Sequence, residues 1–159
     1  VSAMAYPVVL FIHSWLRWAV VLLVLLALGK ALRGWFGGGA WTPADRRLQV
    51  LAVSAFDTQM LLGMILYFGL SPFTPPALEG GLRASLSVPS LRFFSVEHPT
   101  LMLLALATVH VASALSQRAE APVSRHRLWA LGLLLAMLLV SFAIPWAGLS
   151  HGRPLFRGF

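Results

Sequence analysis

The chain contains no cysteine. That absence excludes structural disulfides, thiolate metal sites, iron–sulfur clusters and covalent attachment of c-type haem, so any metal must be held by histidine, carboxylate or methionine. Charge is scarce too: 11% of the 159 residues are charged, against roughly 25% in an ordinary soluble domain. A phosphate loop, an HExxH zinc helix and a nucleophile–base pairing at motif spacing are all missing. So is the alternating pattern of a barrel strand. What fills the chain is apolar, 58% of it from the hydrophobic set.

The apolar residues fall into four runs, about Val8 to Leu28, Leu48 to Leu70, Pro99 to Ser116 and Leu128 to Leu149. Each is close to the ~20 residues that carry a helix across ~30 Å of hydrocarbon, and helices satisfy their own backbone hydrogen bonds there. The composition and spacing predict an all-α fold, a single transmembrane domain over residues 1–159 built as a four-transmembrane-helix bundle. The first run is expected to be retained rather than cleaved as a signal peptide: no basic residue precedes it, it is long for an h-region, and Lys30 and Arg33 follow it.

A net charge of +7 would suggest nucleic acid in a soluble protein. Here the basic residues stand in short loops beside apolar spans, which reads as topology and lipid contact, with no nucleic-acid partner. Lys30, Arg33, Arg46, Arg47, Arg118, Arg125 and Arg127 fall on one side; Arg83, Arg92, Arg153 and Arg157 fall on the other. The excess of basic residues marks the first side as cytoplasmic and puts both termini on the non-cytoplasmic side, expected in a bacterial inner membrane. Trp15, Trp18 and Trp146 then lie near the outer interface, and Trp35, Trp41 and Trp129 near the inner one.

Local signals shape the connections. In "AWTPADRR" Thr42 is placed to cap a helix whose first position is Pro43. The longest loop, Ser71 to Glu97, carries prolines at 72, 75, 76 and 89 and lies at the outer surface. Its "SVPSLRFFSVEH" segment suits a short interfacial helix with Phe93 and Phe94 dipping toward the headgroups.

Ionisable residues inside a span point to function, since an Asp or Arg at the bilayer centre costs about 2.5–3.5 kcal/mol even on lenient scales. His13 and Arg17 share a face of the first helix in "HSWLRW". His98 is expected to begin the third helix, before Pro99. Odd-numbered helices run the same way, so His13 and His98 meet toward the outer side. Neutral imidazole is a good haem ligand, and two of them on opposite sides leave no open position, which suits electron transfer. In that reading His13 and His98 are axial ligands of one haem b, Arg17 and Arg92 meet its propionates, Trp18 helps line the slot, and Glu97 orients an imidazole.

His110 lies twelve residues beyond His98, about 120° round the helix, and belongs to a different environment. Its depth matches that of Asp57, which predicts a buried Asp57–His110 pair: helix glue, a proton relay or an inner cofactor site. His126 and His151 are expected at the surface, and Asp45, Glu79 and Glu120 as solvated loop charges. Met60, Met64, Met102 and Met137 show no ligand motif.

The ordered segments "HSWLRW", "LLGMILYF", "LRFFSVEHPTLM" and "AIPW" resemble a family of small bacterial four-helix membrane proteins described as cytochrome b-like. The resemblance covers most of the chain and points to His13, Arg17, Trp18, Gly63, Tyr67, Arg92, Glu97, His98, Pro145 and Trp146. It implies electron transfer with quinone or within a larger redox complex. Where the family carries a further histidine in the second span, this chain has Asp57, a poor haem ligand, so the resemblance implies one haem, or none, rather than two. The rival expectation is a cofactor-free accessory subunit of a respiratory or photosynthetic complex.

Overall fold

The computed structural model describes residues 4–156 and Gly158; Arg157, counted above in the charge bias, lies outside the described residues. Every regular element among them is helical. Four helical stretches are long and apolar enough to cross a membrane: α1 (Ala5–Gly37), α2 (Pro43–Ile65) extended by a π turn over Leu66–Leu70, α5 (His98–Arg118) and α6 (Pro122–Ala143). Two short helices, α3 (Gly81–Ser85) and α4 (Pro89–Arg92), lie in the long connection between α2 and α5.

Around the bundle α1 packs on α2 and α6, and α5 packs on the same two, so α1 and α5 face one another across the diagonal. Odd–even alternation puts both chain ends at one end, called here the terminal end, and the α1–α2 and α5–α6 loops at the other, the loop end.

The helix starts follow local chemistry. Thr42 accepts from the Asp45 N–H while the Asp45 carboxylate accepts from the Thr42 N–H at 2.8 Å, a capping box with Pro43 in the first turn. At the far end of α1, Gly38 takes φ 64°, a left-handed stop that glycine adopts without steric cost. Asp45 is 6% exposed and paired with Lys30 at 3.1 Å. It was expected to be a solvated loop charge; the cap and the ion pair bring it in.

Two boundaries differ from the apolar runs. The third span is continuous from Pro89 to Arg118, so His98 sits inside a helical stretch and not at its head. Phe93, expected at the headgroups, is 2% exposed within that stretch. The fourth helix ends at Ala143 rather than Leu149, because Pro145 pushes Ile144 out of helical geometry, to ψ 128°. Residues 144–156 then turn back as a strap over the terminal end.

Packing is by small residues. Ala27, Ala31, Ala52, Ala105, Ala112 and Ala130 are all nearly or fully buried, and α5 and α6, the most intimate pair, meet where a Cβ on Gly132 would collide with Ala112. Close approach of this kind substitutes for the hydrophobic drive that lipid removes. The outward faces carry Leu22, Leu26, Leu135, Leu138 and Phe142, each at least half exposed, as contact with hydrocarbon requires.

Candidate functional site

His98 is placed by a break in the helical ladder. Pro99 has no N–H, so the Ser95 carbonyl loses its normal donor; the Tyr67 hydroxyl supplies one at 3.0 Å. One residue earlier the His98 N–H reaches back to the Phe93 carbonyl, the signature of a π turn over Phe93–Glu97. The connection is fastened to this turn and to the Leu66–Leu70 turn: the Ser95 hydroxyl donates to the Phe73 carbonyl at 3.0 Å, and the Thr74 hydroxyl to the Tyr67 carbonyl at 2.6 Å.

The His98 ring bonds through Nδ1 to the Ala143 carbonyl at 2.8 Å. Ala143 is the last residue of α6, and its carbonyl has no partner in its own helix. A carbonyl only accepts, so Nδ1 carries the hydrogen and Nε2 of the neutral ring keeps its lone pair. Ligating histidines are held by the same kind of bond.

His13 reaches toward His98 from the opposite helix, with ring centres 6.4 Å apart and planes at 71°. The Gln59 amide donates to the His13 carbonyl at 2.9 Å and lies 3.4 Å from Nε2, long for a hydrogen bond. His13 Nδ1 and Gln59 Oε1 are buried without a hydrogen-bond partner. Such an orphan costs about 1–3 kcal/mol, a cost that a bound polar group or metal relieves.

Both rings open on a cavity of about 670 Å³ in the terminal half of the bundle, within the ~300–1,000 Å³ range of small-molecule and cofactor sites. Leu10, Val20, Met60, Met102 and Val140 give it apolar walls, and Arg17, Tyr67, Thr74 and Arg153 stand among the lining. Gly63 leaves the α2 wall open: a Cβ there would come 3.4 Å from the His13 ring. The strap closes the end. Arg17 and the Trp18 indole donate to the Leu155 carbonyl at 2.8 and 3.0 Å, Phe156 stacks on Trp18, and the Arg153 guanidinium lies over Phe73 and Phe94.

The structure thus brings His13, Arg17 and His98 to one cavity. It places Arg92, Glu97 and Trp18 elsewhere. Arg92 and Glu97 bond each other at 2.7 Å on the exposed surface, so neither is positioned for a propionate or an imidazole, and Trp18 is committed to the strap. Asp57 and His110 do pair, at 2.7 Å, but each is 49% exposed; both point out of the α2–α5 seam instead of into the bundle. His126, expected to be solvated, is 2% exposed, wedged against Gly34 and Trp41 with Nε2 3.3 Å from the Ala40 carbonyl. His151 is half-buried and stacks on Phe93 at 3.8 Å. Sequence reasoning missed Gln59 and Arg153. Gln59 is a polar residue in an apolar span and was open to notice; Arg153 reaches the cavity only through the turn of the strap.

Among the described residues no three His, Cys, Asp or Glu side chains gather as a metal site, so a zinc centre with three or four such ligands is not offered. Fold and site define a class: a bundle of four helices long and apolar enough to cross a membrane, with two imidazoles facing an apolar cavity at one end. Comparisons with protein-family models, curated proteins and solved structures find no match.

Proposed function

We propose that the cavity takes one haem b, with His13 and His98 as axial ligands, and that the protein carries electrons within a membrane, exchanging them with quinone or a larger redox assembly. The observation that carries this reading is the pair of imidazoles on diagonally opposed helices. Their ring centres lie 6.4 Å apart, close enough that both imidazoles would hold one metal-centred group between them. The donor set fits as well: His98 is fixed through Nδ1, and His13 has a buried nitrogen without a hydrogen-bond partner.

Haem, when bound, would supply a one-electron iron couple, and His13 and His98 would hold it. The chain's own residues do the rest. Ala143 fixes the His98 tautomer, and Gln59 tethers the helix turn that carries His13. Arg17 and Arg153 put positive charge on the cavity lining and take the place of Arg92 as partners for an anionic edge. The strap and the Phe73–Phe94 pair stand over the terminal end of the cavity.

The test is a reduced-minus-oxidised spectrum of the purified protein. One b-type haem per chain is expected, with His13→Ala and His98→Ala each losing most of it. Full haem retention in the double replacement would remove the ligand assignment, and a folded chain without haem from haem-replete cells would remove the function.

A further inference from the structure

The Asp57–His110 pair poses a separate problem. Asp57 lies midway between Pro43 and Leu70, about 21 Å along the helix from its start, and His110 lies well inside α5. Both point outward, each 49% exposed. Leu61, one turn from Asp57, and Leu103, two turns from His110, are 60% and 54% exposed. A carboxylate and an imidazole therefore stand in the middle of an apolar outer face, at the depth where lipid tails are the solvent. A carboxylate is costly there, and such groups almost always face protein or a water-filled cavity. The pair uses one carboxylate oxygen and one ring nitrogen. Asp57 Oδ2 and His110 Nδ1 make no hydrogen bond among the described residues.

The surroundings suit close approach by another helix. Ala107 and Ala114 flank His110 on its own face, and Ser54 precedes Asp57 by one turn; all three are exposed. Small residues beside a polar group are the usual composition of a helix–helix contact in membranes.

We propose that this α2–α5 face is the interface with a second copy of the chain, arranged about a two-fold axis that passes beside Asp57 and His110. The argument for that occupant is complementarity. A face carrying a carboxylate and an imidazole side by side matches itself under two-fold rotation: with a hydrogen on each ring nitrogen, His110 donates to Asp57 of its own chain and to the free carboxylate oxygen of the other copy, and the four groups close a ring of alternating donors and acceptors. No other partner chemistry is needed to satisfy them. The proposal stands apart from the haem reading, since Asp57, His110 and the small residues beside them do not line the cavity.

The native chain has no cysteine, so a single introduced thiol reports proximity to a like thiol directly. Ala107→Cys and Ala114→Cys, oxidised in native membranes, are expected to move most of the chain to twice its 17.3 kDa mass. Leu135→Cys, exposed on α6 and outside the α2–α5 seam, is expected to stay at the monomer mass. Asp57→Asn added to Ala114→Cys is expected to lower the cross-linked fraction at least fivefold while helical circular dichroism is unchanged. Cross-linking of Ala107→Cys and Ala114→Cys no stronger than that of Leu135→Cys would overturn the proposal. So would a product whose mass shows a different protein, or an Asp57→Asn background that cross-links as well as the parent.

Discussion

The same four helices enclose about 670 Å³ of space at the terminal end of the bundle and about 10 Å³ between α1, α2 and α6 at the loop end. Each end carries histidine, and the contrast shows what packing does to that residue. At the loop end the His126 ring fills the place of a missing Gly34 side chain, lies against Trp41 at 4.8 Å, and has no room for a ligand. At the terminal end His13 and His98 are held apart by separate anchors on diagonal helices, with Gly63 and the strap shaping the space around them. His126 is walled in, whereas His13 and His98 are half-buried against the cavity. Room is what separates a structural histidine from a candidate ligand.

Substitutions that add volume test this contrast. Gly132→Leu, which drives a side chain into Ala112 where α5 and α6 touch, is expected to cost the most, about 3 kcal/mol or more. Thermal unfolding in detergent should show it as a loss of about 6 °C or more for a chain of this size, and an unchanged midpoint would mean that this contact is soft. Gly34→Ala puts a Cβ into the His126 ring and is expected to cost about 1–3 kcal/mol by the same measurement.

Thr42→Ala removes half of the capping box at the start of α2. A loss of about 1 kcal/mol is expected, read as a midpoint lowered by about 2–4 °C. The smallest effect on stability is expected at the roomy end: Gly63→Ala meets His13 at an ordinary 3.4 Å and should change the midpoint by about 2 °C or less, because better helix propensity offsets any crowding. Gly63→Leu sharpens the comparison further. Its side chain occupies cavity space, so the fold should persist while the haem absorbance proposed above falls several-fold; equal haem content in Gly63→Leu would place the cofactor elsewhere.

Much of this was legible in the chain. Thr42 as the cap with Pro43 in the first position was read correctly from adjacent residues, while Asp45, which completes the capping box, was expected in solvent. The meeting of Asp57 with His110 followed from their matching depths in neighbouring helices, and the sharing of one helix face by His13 and Arg17 from their spacing; both line the cavity. Depth, however, says nothing about rotation. Asp57 and His110 were expected inside and stand outside; His126 was expected outside and stands inside. Arg92 was assigned to the cavity from its place near His98, yet it bonds Glu97, while Arg153 arrives from a strap that no local signal described. The π turn before Pro99 also escaped, since it depends on the Tyr67 hydroxyl, 28 residues away, taking over the Ser95 carbonyl.

The sequence by itself determined that this protein is four long apolar helices joined at proline- and glycine-rich breaks, because span length, caps and stops are settled by neighbours a few residues apart. Only the tertiary structure decided which histidines face a cavity, which face the outer surface and which are walled in. A helix turns about 100° per residue, so how each one is rotated in the bundle is set by the side chains it meets across the interface. Here those are the alanines and glycines that let α5 close on α6, and the anchors that hold His13 and His98 apart.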